Sequence, residues 1–167
     1  MKKMGLVLVI GLGLVLMAGV AFAANDTKPL TVNATVSARA TLTMGASSIS
    51  FADADPEATP SIASTPASVS VTAKVRTGSS STATLTHKAD DDLKSGSDVI
   101  AISNVTWTAA GTGFQAGTMS KSAPVTAASW TGSGSHTDGS FSYFLANSWN
   151  YATGSYSATS TYTLTAP

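Results

Sequence analysis

The chain has 167 residues, no cysteine, 11% charged side chains, and nine Lys plus Arg against nine Asp plus Glu. That length favours one domain over two, and the absence of a basic excess argues against a nucleic-acid binder, which needs cations to neutralise phosphates. Without cysteine, stability has to come from a packed core or from assembly, since disulfides are the usual staple outside the cytoplasm.

Lys2 and Lys3 precede an apolar and glycine run from Met4 to Val20, and Ala21-Phe22-Ala23 follow. This basic, apolar, A-x-A order predicts a secretory signal peptide over residues 1–23. Polar Asn25-Asp26-Thr27 behind it favour cleavage over anchoring. The membrane is therefore expected to be met only through the signal, and the mature protein to be secreted or displayed at the cell surface. Removing 23 residues leaves 144, with seven basic against nine acidic side chains and a net charge of −2.

Those 144 residues include 25 Ser and 24 Thr. Such a composition can mark a disordered stalk. Here the hydroxyl residues alternate with Val, Ala, Leu, Ile and aromatics, which is the pattern of half-buried strands. From Leu30 to Met44 every even position is apolar and every odd one polar. Fifteen residues exceed the ~5–6 of a typical strand, so the segment bends across two sheets or part of it pairs elsewhere. Ser48–Phe51 predicts a short strand and Asp53–Pro66 an acidic, proline-bearing loop. Ser68–Arg76 and Thr82–His87 predict a hairpin around Thr77-Gly78-Ser79-Ser80.

Ala89–Gly96 reads as a charged loop and Val99–Thr108 as a strand, with a bulge near Ser103-Asn104 where the apolar phase shifts. Met119–Trp130 is the next strand, Gly132–Gly139 a turn region. Phe141 to Trp149 and Tyr156 to Leu164 supply the last two alternating runs. No helical period of ten residues or more is seen outside the signal. The expected fold is all-β, an Ig-like antiparallel β-sandwich of about seven or eight strands. Val71, Val75, Ile100, Ile102, Trp107, Phe141, Tyr143 and Tyr156 are its expected buried residues.

Candidate chemistry is sparse. His87 and His136 lack the number and spacing of a metal site. His136-Thr-Asp138 with one of 25 serines could be drawn as a hydrolase triad, but no G-x-S-x-G elbow is present. His87 is expected on a strand face and His136 in a turn. Asp53-Ala-Asp55-Pro-Glu57 and Asp90-Asp91-Asp92 lack the EF-hand pattern and read as solvated loop charge. Trp107, Trp130, Trp149, Tyr143, Tyr151, Tyr156 and Tyr162 read as core bulk ahead of a sugar platform. Asn25, Asn33 and Asn104 begin N-x-S/T sequons. No catalytic residue, metal or cofactor is expected.

The long alternating segment, Ile49-Ser50-Phe51-Ala52-Asp53 with its Asp-Pro loop, and Gly154-Ser155-Tyr156-Ser157-Ala158 leading into Thr161–Thr165 resemble the plan of chaperone-usher pilins. The likeness is closest to the spore coat protein U type, whose members usually carry two cysteines that this chain lacks. The resemblance implies an Ig-like fold short of its last strand, with residues 24–38 as an N-terminal extension and 39–167 as the sandwich domain. Leu30, Val32, Ala34, Val36 and Ala38 would then enter a groove on another subunit as a donor strand. Partners implied are further copies of the chain, a periplasmic chaperone and an outer-membrane usher. The expected function is a non-catalytic subunit of an extracellular filament or coat. The alternative is a monomeric secreted module that binds carbohydrate or calcium.

Overall fold

The computed structural model describes residues 24–167. The expected signal peptide, 1–23, lies outside the described residues. Residues Thr35–Pro167 form one compact unit. Residues 24–34, taken by themselves, are exposed throughout and belong to no strand.

Twelve strand segments are found among the described residues: β1 (Arg39–Met44), β2 (Ser50–Phe51), β3 (Ser61–Thr65), β4 (Val69–Arg76), β5 (Thr82–Ala89), β6 (Leu93–Ser95), β7 (Asp98–Ile100), β8 (Val105–Ala110), β9 (Gly117–Thr118), β10 (Val125–Thr131), β11 (Gly134–Ala146) and β12 (Ser160–Thr165). Every pairing is antiparallel. The larger sheet runs β1-β4-β11-β3-β2, with β8 on the other side of β11 and β9 beyond it. The smaller runs β10-β5-β12, and β6 and β7 form a separate hairpin. The fold is therefore all-β and sandwich-like.

Alternation along each strand decides what the sheets bury. On β4 the odd-numbered residues Val69, Val71, Ala73 and Val75 are buried, and Ser70, Lys74 and Arg76 are exposed. Leu85 and His87 of β5, Trp107 of β8, Trp130 of β10, and Phe141 and Tyr143 of β11 fill the interior. Trp107 and Phe141 meet edge to face at 6.4 Å, as do Phe114 and Trp130 at 5.1 Å, the geometry aromatic quadrupoles favour. Each buried indole keeps its hydrogen bond, Trp107 Nε1 donating to Gln115 O and Trp130 Nε1 to Thr112 O, both at 2.8 Å. Gly117 is required beside Trp107, because a Cβ there would stand 2.4 Å from the ring.

The expected inward residues Val71, Val75, Ile100, Ile102, Trp107, Phe141 and Tyr143 are buried. Tyr156 is only half-buried and lies outside β12. Several strand boundaries need correction. Leu30–Ala38 is not strand, and only Arg39–Met44 of the long alternation is paired. The Asp53–Pro66 segment holds β3, where Ile62 and Ser64 turn inward between Pro60 and Pro66. β4 and β5 do not form a hairpin. β5 pairs with β10 and β12, so Thr77–Ser81 carries the chain from one sheet to the other. The Ala89–Gly96 loop contains β6. The phase shift in Val99–Thr108 is a 3-10 turn at Ile102–Asn104 instead of a bulge. Gly134 already begins β11, whose register slips between His136 and Gly139.

At the end where β4 leaves the larger sheet, two crossovers are stitched together. Thr77 N donates to Ser133 Oγ, which donates back to Thr77 O, both at 2.9 Å, and Gly132 N donates to Ser81 O at 2.9 Å. We call this the basic pole, since Arg39 and Arg76 face each other there. The opposite, acidic pole carries the loops 45–60, 89–104 and 147–158.

Candidate strand-acceptor groove

Each sheet has an edge strand with one partner only: β1 pairs with β4, and β12 pairs with β5. These two edges run antiparallel in space, because β1 leaves the basic pole while β12 returns to it. No hydrogen-bond ladder joins them. Their inward side chains are incompletely covered. Leu42 and Met44 on β1, and Tyr162 and Leu164 on β12, are half-buried, whereas the neighbouring inward row of β4 is fully buried.

Between the edges lies a groove of about 610 Å³, walled by Leu42, Met44 and Tyr162, floored by Val69, Met119 and Tyr143, and flanked by Ser47–Ile49 and Ala158–Thr161. Tyr143 and Tyr162 share a hydroxyl–hydroxyl hydrogen bond of 2.7 Å under it. Burial raises the pKa of both phenols, so they stay neutral donors. The groove is thus apolar below and lined above by unpaired strand edges, which is what an added strand needs for backbone bonds and side-chain pockets.

The expected donor residues are all exposed. Leu30 is 86%, Val32 81% and Val36 70% accessible, and Ala34 and Ala38 are exposed too. Val36 and Ala38 edge a shallow depression of about 280 Å³ with Arg76, Gly78 and Pro167. Sequence reasoning placed Tyr162 on a strand but did not single out Leu42, Met44 or Ile49 as groove walls. Alternation marks an inward side chain without saying whether a neighbour covers it.

The other candidates are dispersed. His87 is wholly buried on the inward face of β5, with neither ring nitrogen partnered by protein. His136 lies on β11, not in a turn, and stacks on Trp130 at 4.3 Å. Asp138 accepts the Thr112 N–H at 3.0 Å, and that bond above all lowers its pKa, with a smaller contribution from His136. Asp91 is paired with Lys94 and Lys121, and the Lys94 hydrogen bond above all holds its pKa near about 2. Asp92 accepts from Lys121 and from the Ile102 N–H. Among the described residues no three His, Cys, Asp or Glu gather as a metal site. Trp107 and Trp130 are core, but Trp149 is 70% exposed. Its strand ends early because Asn147 turns its amide to Ala54 O and Thr59 O, at 2.9 and 3.1 Å.

No family model, no curated protein and no solved structure matches this chain.

Proposed function

We propose that the protein is a non-catalytic structural subunit of an extracellular filament or surface coat, an Ig-like sandwich lacking one strand. Residues 24–38 of another copy close it by lying between β1 and β12, with Leu30, Val32, Ala34, Val36 and Ala38 facing inward. The observation that carries this reading is the pair of facing free edges with their inward rows half-covered. A periplasmic chaperone holding the groove during export and an outer-membrane usher are the partners it implies.

Energetics agree in scale. Burying Leu30, Val32 and Val36 contributes roughly 4–9 kcal/mol gross, at ~1.5–3 each. Association and ordering oppose this, so backbone ladders on both sides of the strand must contribute as well. The edges stand within 8 Å at their nearest Cα atoms, and a strand laddered on both sides needs roughly 9.5 Å, twice the strand spacing. Seating the strand between them therefore requires the two edges to move apart.

The test is assembly of the exported protein. Ladders that resist heat and SDS are expected on a gel, and deletion of residues 25–38 should abolish them while leaving a subunit able to accept a strand. A sharp monomer peak from the full-length protein would overturn the reading and favour a binding module, as would unaided polymerisation of the truncated one.

A further inference from the structure

Charge differs between the two ends of the strands in the Thr35–Pro167 unit. Arg39, Lys74 and Arg76 share the outer face of β1 and β4 at the basic pole, where Arg39 pairs directly with Arg76 across the strands. The segments 35–41, 74–82 and 131–136 around them contain no Asp or Glu. Like charges directly opposed weaken a sheet, and no Asp or Glu of the described residues forms an ion pair with this row. Arg76 is held in position by donating its Nε–H to Ser37 O at 2.8 Å.

At the acidic pole the sign reverses. Loop 52–60 carries Asp53, Asp55 and Glu57, all exposed, with no Lys or Arg in it. None of the three takes part in an ion pair among the described residues. Asp91 and Asp92, by contrast, already hold Lys94 and Lys121. Trp149, 70% exposed, stands on the neighbouring turn at the same pole. Its turn closes through Tyr151 N to Ser148 O at 3.3 Å, and Asn147 ties that turn to loop 52–60. Exposed carboxylates and an exposed indole at the same pole each attract a guanidinium, by charge and by cation–π contact.

We propose that the acidic pole, through Asp53, Glu57 and Trp149, docks on the Arg39–Arg76 row of a second copy of this chain. The inference rests on the strand-exchange reading and extends it to a second contact. The geometry of that reading favours this occupant over any other. The compact unit begins at Thr35, where Ser37 accepts from Arg76 at the basic pole, and the groove is bordered at the acidic pole by Ser47–Ile49 and Ala158–Thr159. A copy whose basic pole faces the acidic pole of the next brings Thr35, from which its extension starts, to the groove mouth. The inserted segment then runs antiparallel to β12 and parallel to β1. Electrostatic docking orients the encounter before the slower insertion, and complementary charge raises encounter rates by 10-fold or more.

A charge-swap experiment tests this on the full-length protein, with the rate of SDS-resistant ladder formation as readout. Arg39→Glu/Lys74→Glu and Asp53→Lys/Glu57→Lys alter exposed side chains of the two poles and leave the Arg76 bond to Ser37 in place. Each variant alone is expected to assemble roughly tenfold more slowly than wild type at low salt. An equimolar mixture should recover the wild-type rate, because the reversed poles complement each other in an alternating copolymer. The differences should shrink between ~0.1 and ~1 M salt, as the screening length falls from ~10 to ~3 Å. Wild-type rates from the single variants, or a mixture no faster than its components, would overturn the docking and leave strand exchange standing. A wild-type protein that forms no ladder at all overturns both.

Discussion

His87 is the buried residue whose chemistry is least matched to its surroundings. Its ring meets Tyr162 at 4.6 Å and Trp107 at 5.3 Å, neither nitrogen has a protein partner, and desolvation lowers its pKa from 6.5 to about 4. The neutral form is the one the core tolerates. An unfolded chain takes up the proton near 6.5 and the folded one resists until about 4, so the stabilisation is complete above about pH 6.5 and is lost as pH falls towards 4. The pKa gap is 2.5, from 6.5 to about 4, and at about 1.4 kcal/mol per pKa unit it corresponds to roughly 3 kcal/mol. Urea titrations at pH 7 and pH 4.5 should show this loss in wild type and a much smaller one in His87→Phe. Equal losses in both proteins would place the acid sensitivity elsewhere. The two phenols nearest the site, Tyr143 and Tyr162, have raised pKa values and carry no charge in this window.

At the scale of the element, the N-terminal segment makes the sharpest demand. Side chains on successive strand residues point to opposite faces, so a carboxylate at one position enters the groove and at its neighbour faces water. Val32→Asp should abolish ladders while Thr31→Asp is tolerated. Equal behaviour of the two variants on the same gel would exclude a strand-like docking of this segment. Legibility from sequence follows the same physics. Period-two alternation located β1, β4, β5, β8 and β12 and most of their inward residues, because burial on one face writes itself into every second residue, whereas the strand expected over Met119–Trp130 begins only at Val125. It carried no information on which strands are neighbours. Thr77–Ser81 has the turn residues of a hairpin, yet it is a crossover, since the same residues suit either path. The run from Phe141 to Trp149 keeps its phase past the strand's end, and what stops the strand is Asn147 binding two loop carbonyls distant in sequence. The half-covered rows at Leu42, Met44, Tyr162 and Leu164 were not legible, because alternation marks an inward side chain without recording whether a neighbouring segment covers it.

For the molecule as a whole, the absence of cysteine leaves the packing of two sheets and the stitched crossovers at Thr77 and Ser133 to hold the unit together. The groove between β1 and β12 is set lengthwise, from the acidic pole towards the basic one, and that orientation has a mechanical consequence. In the proposed filament a seated strand lies along the line of pull. Tension then acts in shear, and the ladder bonds on both edges share the load and fail together; a strand lying across the pull would peel away one bond at a time. Stretching single filaments should therefore give abrupt ruptures at high force, with no low-force staircase of successive bond losses beforehand. A staircase would mean that the seated strand runs across the axis.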